Sequence, residues 1–233
     1  MMRIDSKKIY CFTPLVSLGT FLVESILAIY VLYKYRKTDF GIVSFFVLFS
    51  LASFQLPEYL LCTTDKSIYY VLLMQISFIG TIFLPALGVH LVHLLNEKKY
   101  SKLVTFGYIL ASLVSIAIMF NKGEDFIHIC TGHYVRFSLG TFVTKIYFFT
   151  YIILIASSMY ILISKIIQKK NKVLNTWMLL AFLIFLIPTY TLYFLSFIPN
   201  NGIPSVLCGF ALFAALILIA KILPLYHDKD MVK

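Results

Sequence analysis

Two long hydrophobic segments decide the fold of this chain. They read FFVLFSLASFQLPEYLLC at residues 45–62 and YYVLLMQISFIGTIFLPALGVHLVHLL at residues 69–95, with a short polar link between them. Each is long enough to cross a bilayer as a helix, which takes about 20 apolar residues for roughly 30 Å of hydrocarbon. Gln55, Glu58 and Gln75 interrupt these segments, and polar groups at membrane depth need partners inside the protein. The sequence therefore predicts two spanning helices that carry buried polar side chains.

The rest of the chain repeats this pattern. Of the 233 residues, 61% are hydrophobic and only 13% are charged, and the charges lie in short clusters between apolar segments. A water-soluble core could not bury so much apolar surface, so we predict an all-α polytopic membrane protein with seven transmembrane helices and no soluble domain. The predicted spans are residues 12–33, 42–62, 68–95, 103–120, 142–167, 173–198 and 203–223. The longest loop, residues 121–141, is too short to fold as a domain.

The basic residues predict the orientation. With the amino terminus outside, 13 of the 20 lysines and arginines fall on the inner side. Inner loops of membrane proteins carry such an excess, so we expect the amino terminus outside and the carboxyl terminus inside, in a multi-pass protein of the cell membrane. The net charge of +10 also favours anionic lipid at the inner surface. No feature indicates binding to nucleic acid.

Two stretches resemble a known family. They are LASFQLPEYLLCTTDKSIYYVLLMQISFIGTIFLPALGVHLV at residues 51–92 and GHYVRFSLGTFVTKIYFFTYI at residues 132–152. Together with seven spans and an outside amino terminus, they resemble the seven-transmembrane amino-terminal sensor region of bacterial histidine kinases and diguanylate cyclases. A kinase of this type continues into a signalling helix, a phosphoaccepting His and an ATP-binding domain. This sequence stops soon after the seventh apolar segment, so the resemblance implies a stand-alone sensor module or a truncated relative.

A ligand site is predicted in the outer half of the membrane. Polar side chains of different spans fall at comparable depth there, as a pocket between helices requires. The candidate residues are Gln55, Glu58, Gln75, Lys145, Tyr190 and Tyr193. Glu58 would face a cavity open to the outside and pair with Lys145 or Arg136. The alternative is that Glu58 extends to water or is neutral and hydrogen-bonded.

Glu24 lies near the middle of the first span. An ionised, unpaired carboxylate costs roughly 2.5–3.5 kcal/mol at that depth on insertion scales. One interpretation is a protonated carboxyl that is hydrogen-bonded inside the bundle. The other is coupling to a proton or an ion, as a transporter would need.

His90, His93 and Glu97 fall on one face at the inner end of the third span, because they are three and four residues apart. Two histidines and a glutamate could contribute to a metal site. The interpretation we favour is that the histidines extend to the lipid headgroups, so we predict no metal and no other cofactor. Phosphate-binding, nucleophile-elbow and metalloprotease motifs are absent from the sequence, which gives no indication of an enzyme.

The cysteines suggest an external disulfide. Under the predicted topology Cys11, Cys62 and Cys130 lie at or beyond the outer interface, and Cys208 about two turns inside it. A bridge from Cys62 to Cys130 is the most useful pairing, because it would fasten the long loop over the bundle. Four cysteines allow three connectivities, so the pairing stays open at this stage.

The sequence predicts a membrane sensor. An extracellular small ligand or a state of the bilayer would act on the outer half, and a cytoplasmic signalling protein would receive the signal. The first alternative is a small transporter or permease for a solute or ion, favoured by Glu24 and by prolines inside the spans. The second is an intramembrane metal-dependent enzyme that uses His90 and His93.

Overall fold

The structure is a computed structural model, and it describes residues 14–63, 69–96, 101–121, 126–131 and 135–231. It consists of eight helices and one hairpin, with a 3₁₀ turn at Asn200–Gly202 and a π-helical turn at Leu218–Ile222. The helices are α1 Pro14–Tyr35, α2 Asp39–Thr63, α3 Tyr70–Leu95, α4 Lys102–Met119, α5 Thr141–Ile167, α6 Lys172–Phe194, α7 Ile203–Ile217 and α8 Leu223–Met231. The strands are β1 Phe126–Cys130 and β2 Val135–Leu139.

Seven helical segments in the described part of the chain are long and apolar enough to cross a membrane. Six are α1 to α6, and the seventh runs from Asn200 to Lys229 through α7, the π-helical turn and α8. The prediction of a multi-pass helical protein is therefore confirmed. The predicted starts at residues 12 and 68 lie outside the described residues.

Most of the described helix ends fall within three residues of the predicted ends, but α6 stops early. It ends at Phe194, whereas residue 198 was predicted. Ser196 adopts a left-handed conformation with φ of 60°. The N–H of Phe197 donates to the carbonyl of Leu192 at 3.0 Å, and the N–H of Ser196 donates to that of Tyr193 at 2.9 Å. This is the Schellman pattern that terminates helices, and hydrophobicity alone does not reveal it.

The first three helices pack closely because small residues stand where their backbones meet. A methyl group on Gly41 would come within 2.1 Å of the carbonyl oxygen of Tyr35, so α1 and α2 could not approach as they do with a larger residue. A methyl group on Gly80 would come within 2.0 Å of the Ser53 hydroxyl in the same way between α2 and α3. These contacts fix how the three helices are rotated relative to one another.

The loop between α4 and α5 contains an antiparallel hairpin, which the sequence analysis did not predict. In β2 the side chains of Val135, Phe137 and Leu139 are buried and alternate with less buried ones, as one face of a strand requires. Phe137 packs edge-on against Phe54 of α2 and Phe78 of α3, with ring centroids 5.5 and 5.6 Å apart. The hairpin is therefore anchored in the helix core.

A disulfide joins the hairpin to α2. It links Cys62, at the end of α2, to Cys130, at the end of β1, with 5.8 Å between their Cα atoms. Cys208 is buried and not bonded to another cysteine, while Cys11 lies outside the described residues. We call the end of the bundle that carries the hairpin the hairpin end, and the opposite end the α8 end.

Asparagine side chains join the helices at the α8 end. Asn96, which follows α3, and Asn175 of α6 exchange side-chain hydrogen bonds of 3.1 and 3.3 Å. Asn171 donates to the carbonyl of Leu95 at 2.8 Å and accepts a bond of 2.9 Å from the ammonium group of Lys229 in α8. This network ties α8 to α3 and α6.

We expect Cys62→Ser and Cys130→Ser each to lower the free energy of unfolding by about 2–4 kcal/mol, because the disulfide closes a long loop. The double variant should be about as stable as either single one, since each single variant already lacks the bond. Thermal unfolding of the purified protein in detergent measures both effects. If the two losses simply add, they arise from local packing and not from the disulfide.

Candidate functional site

Three helices supply polar groups around Glu58. Glu58 of α2 is only 2% exposed. The hydroxyl of Ser17 in α1 donates to its Oε2 at 3.3 Å, and the hydroxyl of Ser205 in α7 donates to its Oε1. A carboxylate is an acceptor only, so two hydroxyl donors on its two oxygens suit the ionised form. Glu58 thus ties α1, α2 and α7 together at the hairpin end.

The hairpin takes part in the same network. The backbone N–H of Val135 in β2 donates to the hydroxyl oxygen of Ser205 at 3.2 Å. Ser205 therefore accepts from the hairpin and donates to Glu58. The side chain of Arg136, next in β2, donates to Asn201 in the turn before α7 at 3.2 Å. A displacement of the hairpin would thus act directly on the start of α7.

The sequence around Ser205 explains its position. The 3₁₀ turn Asn200–Gly202 leads directly into α7, and Pro204 occupies the first turn, where a missing N–H is tolerated. Ser205 comes next, so its hydroxyl lies at the helix start, close to the hairpin. The strand alternation turns Val135 toward the bundle, which brings its backbone within reach of Ser205.

The polar groups continue from Glu58 into the membrane. On α1 the buried residues recur every three or four positions, and on α2 Gln55 is three residues before Glu58, so each set shares a helix face. On α7, buried Cys208 is three residues after Ser205, so these two side chains also share a helix face. We call these side chains of α1, α2 and α7 the polar column: Ser17, Thr20, Glu24, Gln55, Glu58, Ser205 and Cys208.

Two members of the polar column have polar atoms without partners. Neither carboxyl oxygen of Glu24 has a hydrogen bond within the described residues, and the side chain is 0% exposed. The amide nitrogen of Gln55, a residue 2% exposed, likewise has no acceptor there. Buried polar groups are nearly always hydrogen-bonded, so these atoms need an explanation. Within the described residues Glu24 and Glu58 also have no ion pair with Lys, Arg or His.

The six residues predicted to form one ligand site are not all brought together. Gln55 and Glu58 share the polar column. Gln75 instead donates to the carbonyls of Ile118 and Met119 at 3.4 and 3.2 Å, which satisfies two backbone groups at the end of α4. Lys145 is exposed on α5 and has no hydrogen bond or ion pair with the described residues. The expected pairing of Glu58 with Lys145 or Arg136 is therefore replaced by two serines.

The two tyrosines of the predicted site lie in different places. Tyr190 borders a small cavity of about 20 Å³, together with Tyr147 and Cys208. Tyr193 lies beside residues 194–200 on an open surface where α6 ends. Tyr190 is thus near the polar column, and Tyr193 belongs to the surface of the hairpin end.

The two histidines have separate partners. The Nδ1 of His90 lies 3.0 Å from the hydroxyl of Tyr108 in α4. The Nδ1 of His93 lies 2.9 Å from the carbonyl of Val89 in its own helix. Glu97 lies outside the described residues. In the part of the chain that the structure describes, no group of three or more His, Cys, Asp or Glu side chains is arranged to hold a metal.

An apolar cavity that the sequence did not reveal lies beside the polar column. Its volume is about 90 Å³, and it is bordered by α2, α3, α5, α6 and α7. Ala211, Ala214 and Ala215 of α7 face it, opposite Gly88 of α3 and Phe182 of α6. Small residues on α7 leave this space open, so the helix is loosely packed in its middle.

Sequence reasoning also missed Ser17 and Ser205. Serine is common in spanning helices, where its hydroxyl can bond its own backbone, so neither residue stands out. The spacing of Ser17, Thr20 and Glu24, which places them on one face of α1, is the sequence feature that could have identified Ser17. Comparison with known proteins does not add to this assignment, because no protein-family model and no curated protein matches the chain.

We expect Ser205→Ala to lower the free energy of unfolding by about 1.5–3 kcal/mol, the range for a hydrogen bond to a charged group. The matched control is Ser158→Ala. Ser158 is also fully buried, but its hydroxyl donates only to the carbonyl of Leu154 in its own helix. Thermal unfolding in detergent compares the two variants, and equal losses would show that the contact with Glu58 adds no stability.

Proposed function

We propose that this chain is a membrane sensor module of the cell membrane, with the hairpin end outside. A signal arriving at the hairpin end changes the position of α7, and a cytoplasmic protein detects the change at the α8 end. The excess of basic residues at the α8 end supports this orientation. The proposal agrees with the resemblance to the sensor regions of histidine kinases and diguanylate cyclases.

The observation that carries the proposal is the continuity of the last span. One helical segment of 30 residues, from Asn200 to Lys229, links the hairpin contact at Ser205 to the network at the α8 end. At 1.5 Å per residue it extends about 45 Å, more than the thickness of the hydrocarbon core. A displacement at one end can therefore reach the other through one continuous helical segment.

A displacement of the last span would change the contacts that α8 makes with α1, α2 and α6. Tyr226 stacks on Phe40 of α2 with ring centroids 4.4 Å apart, and His227 packs edge-on against Tyr35 of α1 at 5.6 Å. Lys229 bonds Asn171 at the start of α6. A shift of α8 would exchange these contacts for others, which creates two distinguishable arrangements of the bundle.

The middle of the last span is packed loosely enough for the helix to adopt two positions. The π-helical turn Leu218–Ile222 interrupts the regular hydrogen-bond pattern, and such turns are frequent at functional sites. The apolar cavity beside Ala211 and Ala215 leaves room for a lateral shift. A signal shifts the equilibrium between the two arrangements of the bundle only if it interacts more favourably with one arrangement than with the other.

A cytoplasmic partner would meet a positively charged surface. The exposed basic residues at the α8 end, within the part of the chain that the structure describes, are Lys34, Arg36, Lys37, Lys102, Lys169, Lys170, Lys172 and Lys221. An acidic protein surface complements them, and complementary charge raises the rate of association. The same residues attract anionic lipid, which would hold the α8 end at the membrane.

Electron spin resonance tests the coupling between the two ends. Spin labels at Lys37→Cys and Asp228→Cys, both exposed, report the position of α8 relative to the α1–α2 turn. Cys11→Ser removes a native thiol, and Cys208 is buried. We expect Ser205→Ala to move the label distance by about 1–2 Å or to broaden it, the size of helix shifts in switching proteins.

Ser158→Ala in the same labelled background is the control and should leave the distance unchanged. An identical distance distribution in the wild-type and Ser205→Ala proteins would contradict the proposal, because the hairpin end would then act on α7 without effect at the α8 end. Thermal unfolding of each labelled protein shows that the comparison is made between folded molecules.

One observation favours transport as a second candidate. Glu24 is a buried carboxyl without a partner within the described residues, which suits a group that exchanges protons or ions. Proteoliposomes containing the protein should then take up sodium or protons down an imposed gradient. Glu24→Gln should abolish this flux while Ser158→Ala keeps it. Absence of flux in the wild-type protein would exclude this function for these two ions.

A further inference from the structure

We propose that the polar column binds a monovalent metal cation, and that Na⁺ is the cation its oxygen atoms suit. The ion would lie between Glu24 and Glu58, at the level of Thr20, Gln55 and Cys208. This inference goes beyond the sensor function and does not depend on it. A bound cation would stabilise the bundle whether or not the chain transmits a signal.

The side chains of Glu24 and Glu58 extend in opposite directions along the bundle. Ser17 contacts Glu58 near the start of α1, and Tyr35 meets Gly41 near its end, so α1 and α2 run antiparallel. Side chains tilt toward the amino end of their own helix. The carboxyl of Glu24 therefore extends toward the hairpin end, and that of Glu58 extends away from it. The two side chains therefore point toward each other along the polar column, which brings their carboxyl groups closer than the backbone positions are.

The spacing of the residues along α1 limits the separation of the two carboxyl groups. Glu24 is seven residues beyond Ser17 on α1, which corresponds to about 10 Å along the helix. Tilting the side chains toward each other shortens this separation. Cys208 is three residues beyond Ser205 on α7, so its buried side chain continues the same face of that helix one turn further into the bundle. The gap is bordered by three helices, as a site held by the bundle requires.

Buried polar atoms without partners lie in this part of the polar column. Both oxygens of Glu24 and the amide nitrogen of Gln55 lack hydrogen bonds within the described residues. A cation would satisfy the two oxygens of Glu24 directly. Rotation of the Gln55 amide by half a turn presents its carbonyl oxygen in place of the nitrogen. The hydroxyl of Thr20 donates to the carbonyl of Val16 at 2.9 Å and can still accept, so its oxygen is available to an ion.

The ligand chemistry favours a hard monovalent ion. The groups are carboxylate, amide and hydroxyl oxygens, which suit hard cations and not Zn²⁺ or Cu⁺. Ca²⁺ takes six to eight oxygen ligands, and Mg²⁺ gives up its water reluctantly. A single positive charge matches the one carboxyl that has no partner, Glu24, while Glu58 is stabilised by its two hydroxyl donors.

The surroundings of the column indicate where the ion enters. Beyond Glu24 toward the α8 end, the buried face of α1 continues with Ala28, Val31 and Tyr35, and the first two offer no side-chain ligand. Toward the hairpin end it continues with Thr20 and Ser17. The polar route therefore opens at the hairpin end, beneath the contact between Val135 and Ser205.

Thermal unfolding in detergent tests the site. Purified protein is compared in NaCl and in choline chloride at the same ionic strength, because the methyl-covered ammonium of choline cannot take oxygen ligands as a metal ion does. We expect the melting temperature to rise with Na⁺ and to saturate. A rise of about 3–6 °C is expected when the Na⁺ concentration is ten times the dissociation constant. Equilibrium dialysis with radioactive sodium should show one ion bound per chain.

Glu24→Gln should abolish both the sodium-dependent rise and the binding, and it should unfold in choline at a temperature no lower than the wild type. Gln55→Leu is the second variant and should weaken binding, so the test holds if Glu24→Gln does not fold. Ser158→Ala should behave like the wild type. Equal effects of K⁺ and Na⁺ would also support a monovalent site.

Three outcomes would overturn the inference: no effect of either ion on the wild type, a rise that persists in Glu24→Gln, or stabilisation by Ca²⁺ that Na⁺ does not reproduce. The sensor function can fail separately. If the spin-label distance ignores Ser205→Ala while Na⁺ still stabilises the wild type, the cation site stands and the signalling role does not.

Discussion

The burial of Glu58 is the constraint on which the arrangement of the hairpin end depends. A carboxyl group that is almost fully enclosed in a bundle of apolar helices needs donors from the protein, because lipid offers none. Ser17 and Ser205 supply them from two different helices. The rotation of α1 and of α7 about their axes is therefore set by one acceptor on α2. Removing either serine would leave a buried group short of a partner, which is why the three helices act as a unit.

The hairpin is held to this unit by two bonds of different kinds. The disulfide from Cys62 to Cys130 fixes β1 covalently to the end of α2, and the bond from Val135 to Ser205 ties β2 to the start of α7. The buried ring of Phe137 lies between them. Force on the hairpin is thus divided between a covalent contact to α2 and a weaker one to α7. The weaker contact gives way first, so α7 is the helix whose position a displacement of the hairpin would change most readily.

The position of a residue along its span could be predicted from the sequence. The direction in which its side chain points could not. Counting residues from the ends of apolar segments located the seven spans, and it placed Gln75 and Glu58 at similar depth. Successive residues on a helix differ by about 100° in direction, so the partner of each group depends on how the helices are rotated. Close approaches such as that of Gly41 to Tyr35 set this rotation, and no pattern of hydrophobicity records them. Gln75 consequently meets α4, and Lys145 remains on the exposed surface of α5.

The two ends of the bundle are fixed by networks of polar bonds, whereas the middle of α7 packs against apolar side chains around a cavity. At the hairpin end a carboxyl joins α1, α2 and α7, and at the α8 end Asn96, Asn171 and Asn175 join α3 and α6. Between them α7 presents alanines to an unfilled space of about 90 Å³. Apolar contacts are not directional, so they oppose a lateral shift of α7 less than hydrogen bonds do. The π-helical turn lies just beyond this loosely packed part, where a small displacement of α7 would change the direction of α8. The same sequence thus provides rigid ends, which hold the polar groups in place, and a compliant middle that allows the last span to move between them.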